Sequence, residues 1–133
     1  MKRALKLLRD PGGATLIEFA FGFPVLILLI WMIYQFGLVF RANSGIQHAL
    51  GEGARDATLW PTPAQATVKT RMQQAVYGIG PGNFTVFDPV PGTQDGSTYW
   101  DLRVRYTQST NMLLFPGPDI TLVKTKRVWV APS

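Results

Sequence analysis

At 133 residues, with a formal net charge of +5 and no cysteine, the chain has room for one small domain and excludes disulfides and cysteine-ligated metal sites. The charge divides unevenly: residues 1–13 carry Lys2, Arg3, Lys6 and Arg9 against Asp10, a net +3, which leaves only +2 for the rest. No basic, aromatic-interleaved surface therefore remains beyond the N-terminus to argue for nucleic acid.

From Ala14 to Phe40 the only charged residue is Glu18, and the polar Gln35 comes near the far end. The stretch from Phe19 to Phe40, as a helix, is roughly 33 Å long at 1.5 Å per residue. A hydrocarbon core is roughly 30 Å thick, so the sequence predicts a transmembrane helix. The basic flank predicts a cytoplasmic N-terminus and an extracytoplasmic C-terminal part. A secretory signal fits poorly, because the apolar run is about twice the usual ~7–15-residue length. The residues after it, Phe40-Arg41-Ala42-Asn43, also lack a small-x-small pattern. The small residues Pro11-Gly12-Gly13-Ala14 stand before the run instead, so a leader cut there leaves the apolar helix in the mature protein. Pro24 lies within the span and withholds a hydrogen bond from the Ala20 carbonyl, which predicts a kink or loosening near Ala20–Pro24.

Past Phe40 the periodicity of Ile46, Leu50, Ala54 and Ala57 extends the helix to about Thr58, for a total of roughly 60–70 Å. Gly45, Gly51 and Gly53 weaken it, or else admit another element closely. Trp60-Pro61-Thr62-Pro63 stops the helix. Thr62 with Gln65 reads as a capping box, and Val68, Met72, Ala75, Val76 and Ile79 as the buried stripe of a second helix ending near Gly78–Pro81. Phe84–Asp88 is a short strand, and Pro89–Ser97 reads as a loop. In the next strand, Thr98–Gln108, Trp100, Leu102, Val104 and Tyr106 alternate with polar residues. Asn111–Pro118 is a loop with an apolar patch, Met112–Phe115. Asp119–Val130 is a last strand whose alternation fails around Lys124–Arg127, as at a bulge or a charge-protected edge. The expected fold class is α+β: a long N-terminal transmembrane helix forming a stalk, then a small C-terminal domain with a second helix and an antiparallel sheet of about three strands. The expected divisions are 1–13 (basic leader), 14–58 (span and extracytoplasmic extension) and 59–133 (small domain).

The stretch Gly13-Ala14-Thr15-Leu16-Ile17-Glu18-Phe19 resembles the processing site of type IV prepilins, where cleavage follows Gly and the fifth mature residue is Glu. The wider run, from Leu8-Arg9 through Glu18-Phe19-Ala20 and Pro24 to Gln35-Phe36-Gly37, is similar to the TadE-like minor pilins, or pseudopilins, of tight-adherence pilus systems. His48-Ala49-Leu50-Gly51-Glu52-Gly53-Ala54-Arg55 resembles that family's helix beyond the membrane. The resemblance implies a cleavage site at Gly13 and Ala14, a processing and assembly motif at Glu18 and Phe19, and a pilin-like proline at Pro24. Major pilins of this branch place Tyr after the Glu, so Phe19 points to a minor subunit. The implied partners are prepilin peptidase, other pilins or pseudopilins, the inner-membrane assembly platform and membrane lipid.

No catalytic residue, metal site, cofactor or small-molecule substrate is expected. His48 is the only histidine and has no nucleophile signature near it, and no phosphate-cradling loop or metal-ligand spacing appears. An unprocessed single-pass anchor carrying a small binding module is the alternative. It explains the span and its basic flank but not the Gly13–Glu18 spacing.

Overall fold

The computed structural model describes residues 11–131. The leader charges from Lys2 to Asp10 lie outside the described residues. Helix α1 runs unbroken from Pro11 to Ala57, 47 residues, or about 70 Å. A second helix, α2, covers Gln65–Ala75. Four strands follow: β1 (Asn83–Val86), β2 (Val90–Gln94), β3 (Ser97–Asn111) and β4 (Pro116–Trp129). The class is α+β, with four antiparallel strands.

β3 is the centre of the sheet. β4 pairs along almost its whole length, from Tyr99↔Trp129 to Asn111↔Pro116. β1 and β2 share the opposite edge, β1 against 104–107 and β2 against 97–101. The segment expected to be a loop, Pro89–Ser97, is therefore mostly strand. Asp95 and Gly96 both have positive φ (50° and 77°), which closes a two-residue turn between Gln94 and Ser97. Asp-Gly is the dipeptide this turn favours, because its twist matches that of the flanking strands.

The core forms where β3's inward residues meet one stripe of α1. Trp100, Leu102, Val104 and Tyr106 are buried against Ala42, Ile46, Leu50, Ala54 and Ala57, with Val68 and Met72 of α2 and Val86 closing the sides. On β4, Lys124 pairs with Val104 and Lys126 with Leu102, so both lysines share the inward face of the sheet. Charges turned inward on an edge strand discourage further strand addition, which accounts for the broken alternation there. No register shift occurs at these lysines; the irregularity lies between Ser109 and Asn111. On the outer face Arg127 makes a two-pronged contact with Asp101, at 2.8 and 3.0 Å, and lies 3.8 Å from the Tyr99 ring centroid.

Two features of α2 differ from expectation. Its N-cap is Ala64, with no side-chain cap, and Thr62 Oγ1 donates instead to the Ala131 carbonyl at 3.4 Å. The end of the last strand thus claims the hydroxyl that a capping box would use. The helix also stops at Ala75 rather than near Ile79, because Val76 is extended and Gly78 takes a positive φ of 66°. The extended segment lies directly against α1, where a Cβ at Gly45 would overlap the Tyr77 carbonyl, and α2 packs as closely, since a Cβ at Gly53 would overlap the Met72 side chain.

Gly45 and Gly53 are thus close-approach residues, whereas Gly51 has nothing within 4 Å of a Cβ. Gly45→Ala is expected to destabilise the fold by about 1–3 kcal/mol. Gly51→Ala should stabilise it by up to about 1 kcal/mol through helix propensity alone. Thermal unfolding followed by circular dichroism in detergent checks the opposite signs.

Candidate functional site

Two stretches of α1 carry the candidate residues, and the first is its N-terminal turn. Gly13 is half-buried, while Ala14, Glu18 and Phe19 are exposed. Ala14 and Glu18 are one turn apart and therefore share a face. Phe19 stacks on Phe23, their ring centroids 5.5 Å apart. The helix already includes Gly12 and Gly13, yet glycine costs about 1 kcal/mol relative to alanine at each helical position. This first turn is therefore cheap to unwind. Glu18 makes no ion pair among the described residues, and its side chain is exposed. The helix passes through Pro24 without interruption.

From Ala14 to Ile27 every side chain of α1 is exposed. Large apolar residues stand uncovered on all sides, Leu16, Phe19, Phe21, Leu26 and Ile30 among them. None of the most apolar stretch is buried inside the fold, and among the described residues only this helix is long and apolar enough to cross a membrane. A surface that is apolar all round suits lipid rather than water.

The second stretch begins where the small domain reaches the span. Leu28, Trp31, Gln35, Leu38 and Val39 are half-buried and fall at helical spacing, continuing downwards the stripe that holds the core. A chain of polar groups links it to the sheet. Trp31 Nε1 donates to the Asn111 carbonyl, and Gln35 Nε2 donates to the same oxygen at 3.1 Å. Gln108, fully buried, donates to Gln35 Oε1 at 3.5 Å. The Tyr106 hydroxyl lies 2.7 Å from both Gln108 Oε1 and the Ile79 carbonyl. Burial pushes the Tyr106 phenol above its ordinary range, so it stays protonated and able to donate. These groups are inside the fold or beside an apolar helix, where an unpaired polar atom is costly. Their pairing fixes the depth at which the domain sits on α1.

The sequence marks Gln35 as a polar interruption of the span and as part of the TadE-like resemblance, but gives no sign at that position that it meets the sheet. The signal for the network was present: Gln108 continues the inward alternation 100, 102, 104, 106 and is polar where an apolar residue belongs.

Elsewhere the surface offers little chemistry. A shallow groove of about 580 Å³ between α1 and α2 is lined by Asp56, Thr67, Thr70, Arg71 and Gln74. Its Arg71 is committed to Glu52 and Asp56, at 3.5 and 3.9 Å. Among the described residues no group of three His, Cys, Asp or Glu side chains could hold a metal ion. His48 is exposed with its ring 5.5 Å from that of Tyr77.

Tyr106→Phe keeps the shape of the core but leaves the Ile79 carbonyl without its donor. It is expected to cost about 1–2 kcal/mol in thermal unfolding while membrane insertion stays intact. Tyr34→Phe, on the exposed side of the same helix level, should leave unfolding unchanged.

Comparison with curated proteins and with solved structures gives no match. A family model does match, over residues 13–55, which takes in α1 almost end to end and excludes α2 and the sheet. The long helix, with Gly13, Glu18 and Pro24 in it, is thus matched by the family described as TadE-like protein.

Proposed function

We propose that this chain is a minor pilin or pseudopilin, a structural subunit needed to build a tight-adherence pilus, rather than an enzyme. The observation that carries this reading is the coincidence of the TadE-like match with the Gly13–Glu18 spacing at the start of an apolar helix that is exposed throughout from Ala14 to Ile27. The helix anchors the chain once in the bacterial inner membrane, N-terminus in the cytoplasm and small domain in the periplasm. Prepilin peptidase removes residues 1–13, cutting between Gly13 and Ala14 at the weak glycine turn.

Cleavage creates an α-amino group on Ala14, with a reference pKa of about 8. Amine and Glu18 carboxylate both sit at the membrane surface in a lone subunit. When the exposed helices of several pilins pack together, Glu18 becomes surrounded by apolar side chains. An unpaired carboxylate is costly there, and the Ala14 amine of a neighbouring chain is a cation of fixed register. The pair then selects the stagger between subunits. Pro24, which leaves the Ala20 carbonyl without a donor, gives the helix a point at which to bend during this transfer. The partners are accordingly the peptidase, other pilins or pseudopilins, the assembly platform and lipid.

Mass spectrometry of the N-terminus, on protein from the native host, tests the proposal. The expected mature chain begins at Ala14. An intact Met1 terminus in cells with an active prepilin peptidase would make the chain a plain single-pass anchor for a small binding module.

A further inference from the structure

β3 and α1 run antiparallel at matched rates. Leu102 lies near Gly53, and Asn111 reaches Trp31 and Gln35. Nine strand residues at about 3.3 Å and twenty helix residues at about 1.5 Å both make roughly 30 Å. The hairpin between β3 and β4 therefore turns beside the apolar run. Trp31 is ten residues, or about 15 Å, below Arg41, the first charge beyond that run. A span about 30 Å thick that starts at Ala14 ends near residue 34, and one that starts at Glu18 ends near residue 38. Either boundary leaves Trp31, and the turn beside it, on the bilayer side.

The composition of the turn fits that depth. No Asp, Glu, Lys or Arg occurs from Tyr106 to Pro118. At the tip Leu113, Leu114 and Phe115 are 48%, 77% and 59% exposed. Leu113 holds a φ of 69°, a conformation that glycine or asparagine adopts at lower cost. A large apolar side chain thus stands where the backbone disfavours it. The turn also pairs its own backbone: Met112 N–H donates to Phe115 O, Leu114 N–H to Met112 O, and Leu113 N–H to Asn111 Oδ1, at 2.8–3.0 Å. Asn111 O is taken by Trp31 and Gln35. Each backbone group paired within the turn lowers the cost of placing it at membrane depth. An apolar cleft of about 110 Å³ opens between the turn and α1, lined by Met32, Gln35, Phe36, Met112, Pro118 and Ile120.

We propose that the Met112–Phe115 turn is a membrane-insertion loop that embeds in the leaflet at the C-terminal end of the span and docks the small domain onto the bilayer. The inference rests on α1 being a membrane span. Lipid is the occupant because the turn is fixed, by its own chain, level with the lipid-facing part of α1 and continuous with it. The cleft beside it takes part of an acyl chain.

The chain has no cysteine, so single nitroxide labels are simple to place. Leu114→Cys, Leu26→Cys and Asp95→Cys are labelled in the full chain, reconstituted in phosphatidylcholine vesicles. Collision rates with oxygen and with a water-soluble nickel chelate are then compared. Labels at 114 and 26 are expected to favour oxygen several-fold over the label at 95, which sits in the turn at the opposite end of the sheet. A label at 114 that behaves like 95, while 26 favours oxygen, overturns the insertion loop and leaves the span intact. If 26 also behaves like 95, the span itself fails and the loop with it. Shielding of 114 from both agents, with spin–spin broadening lost on dilution by unlabelled chain, would place a second copy there and overturn lipid. Phe115→Cys gives an independent reading should Leu114→Cys fail to fold.

Discussion

Near Phe40 helix α1 changes what surrounds it. Up to that residue most of its side chains face outward and are apolar; from Ala42 onwards one stripe of it is fully covered by sheet and second helix. A helix cannot adjust its register between the two regions, because no break intervenes between Pro11 and Ala57. Every residue that the sheet fixes on the second half therefore fixes the depth and rotation of the first half too. The close contacts at Gly45 and Gly53 and the polar chain through Tyr106, Gln108 and Gln35 are what hold this relation. They make the domain and the part of α1 beyond Pro24 one rigid lever, with Glu18 carried on the short arm across the proline.

A lever of this kind suits a subunit that must leave a bilayer and join an assembly in a defined stagger. Apolar packing between helices is weakly directional, since a shift by one turn exchanges one greasy side chain for another. Register has to come from polar groups that tolerate only one alignment. In this chain polar side chains interrupt the apolar run of α1 at two heights. Glu18 marks the N-terminal end, and the Trp31, Gln35 and Asn111 cluster marks the level at which the domain meets the span. The exposed part of the shaft is thereby shorter than the total helix length implies, because the hairpin overlaps α1 down to Trp31.

Much of this was legible in the residues because the relevant periods are long. The uncharged run after Glu18, the 3.6-residue stripe from Ile46 to Ala57 and the two-residue alternation of Trp100 to Tyr106 each repeat often enough to be unambiguous. What escaped was decided by single contacts. The β2 strand was hidden by Val90-Pro91-Gly92, residues that read as loop, although Asp95-Gly96 announced its turn. The end of α2 was set by Tyr77 packing on Gly45, which no local propensity reveals. Thr62 was drawn from its capping role by a carbonyl 69 residues away. The spacing of Gly13 and Glu18 is visible in the sequence without any tertiary contact.

Whether the exposed helix meets pilus proteins is the point on which everything functional turns. A photo-crosslinking amino acid at position 26, which is apolar, exposed and one face of the span, reads this directly in the native host. Adducts to pilus proteins are expected, and a Glu18→Gln background should reduce them while membrane levels stay unchanged. Adducts to lipid alone, with and without Glu18, in cells that are assembling pili would contradict a role for this helix in the pilus.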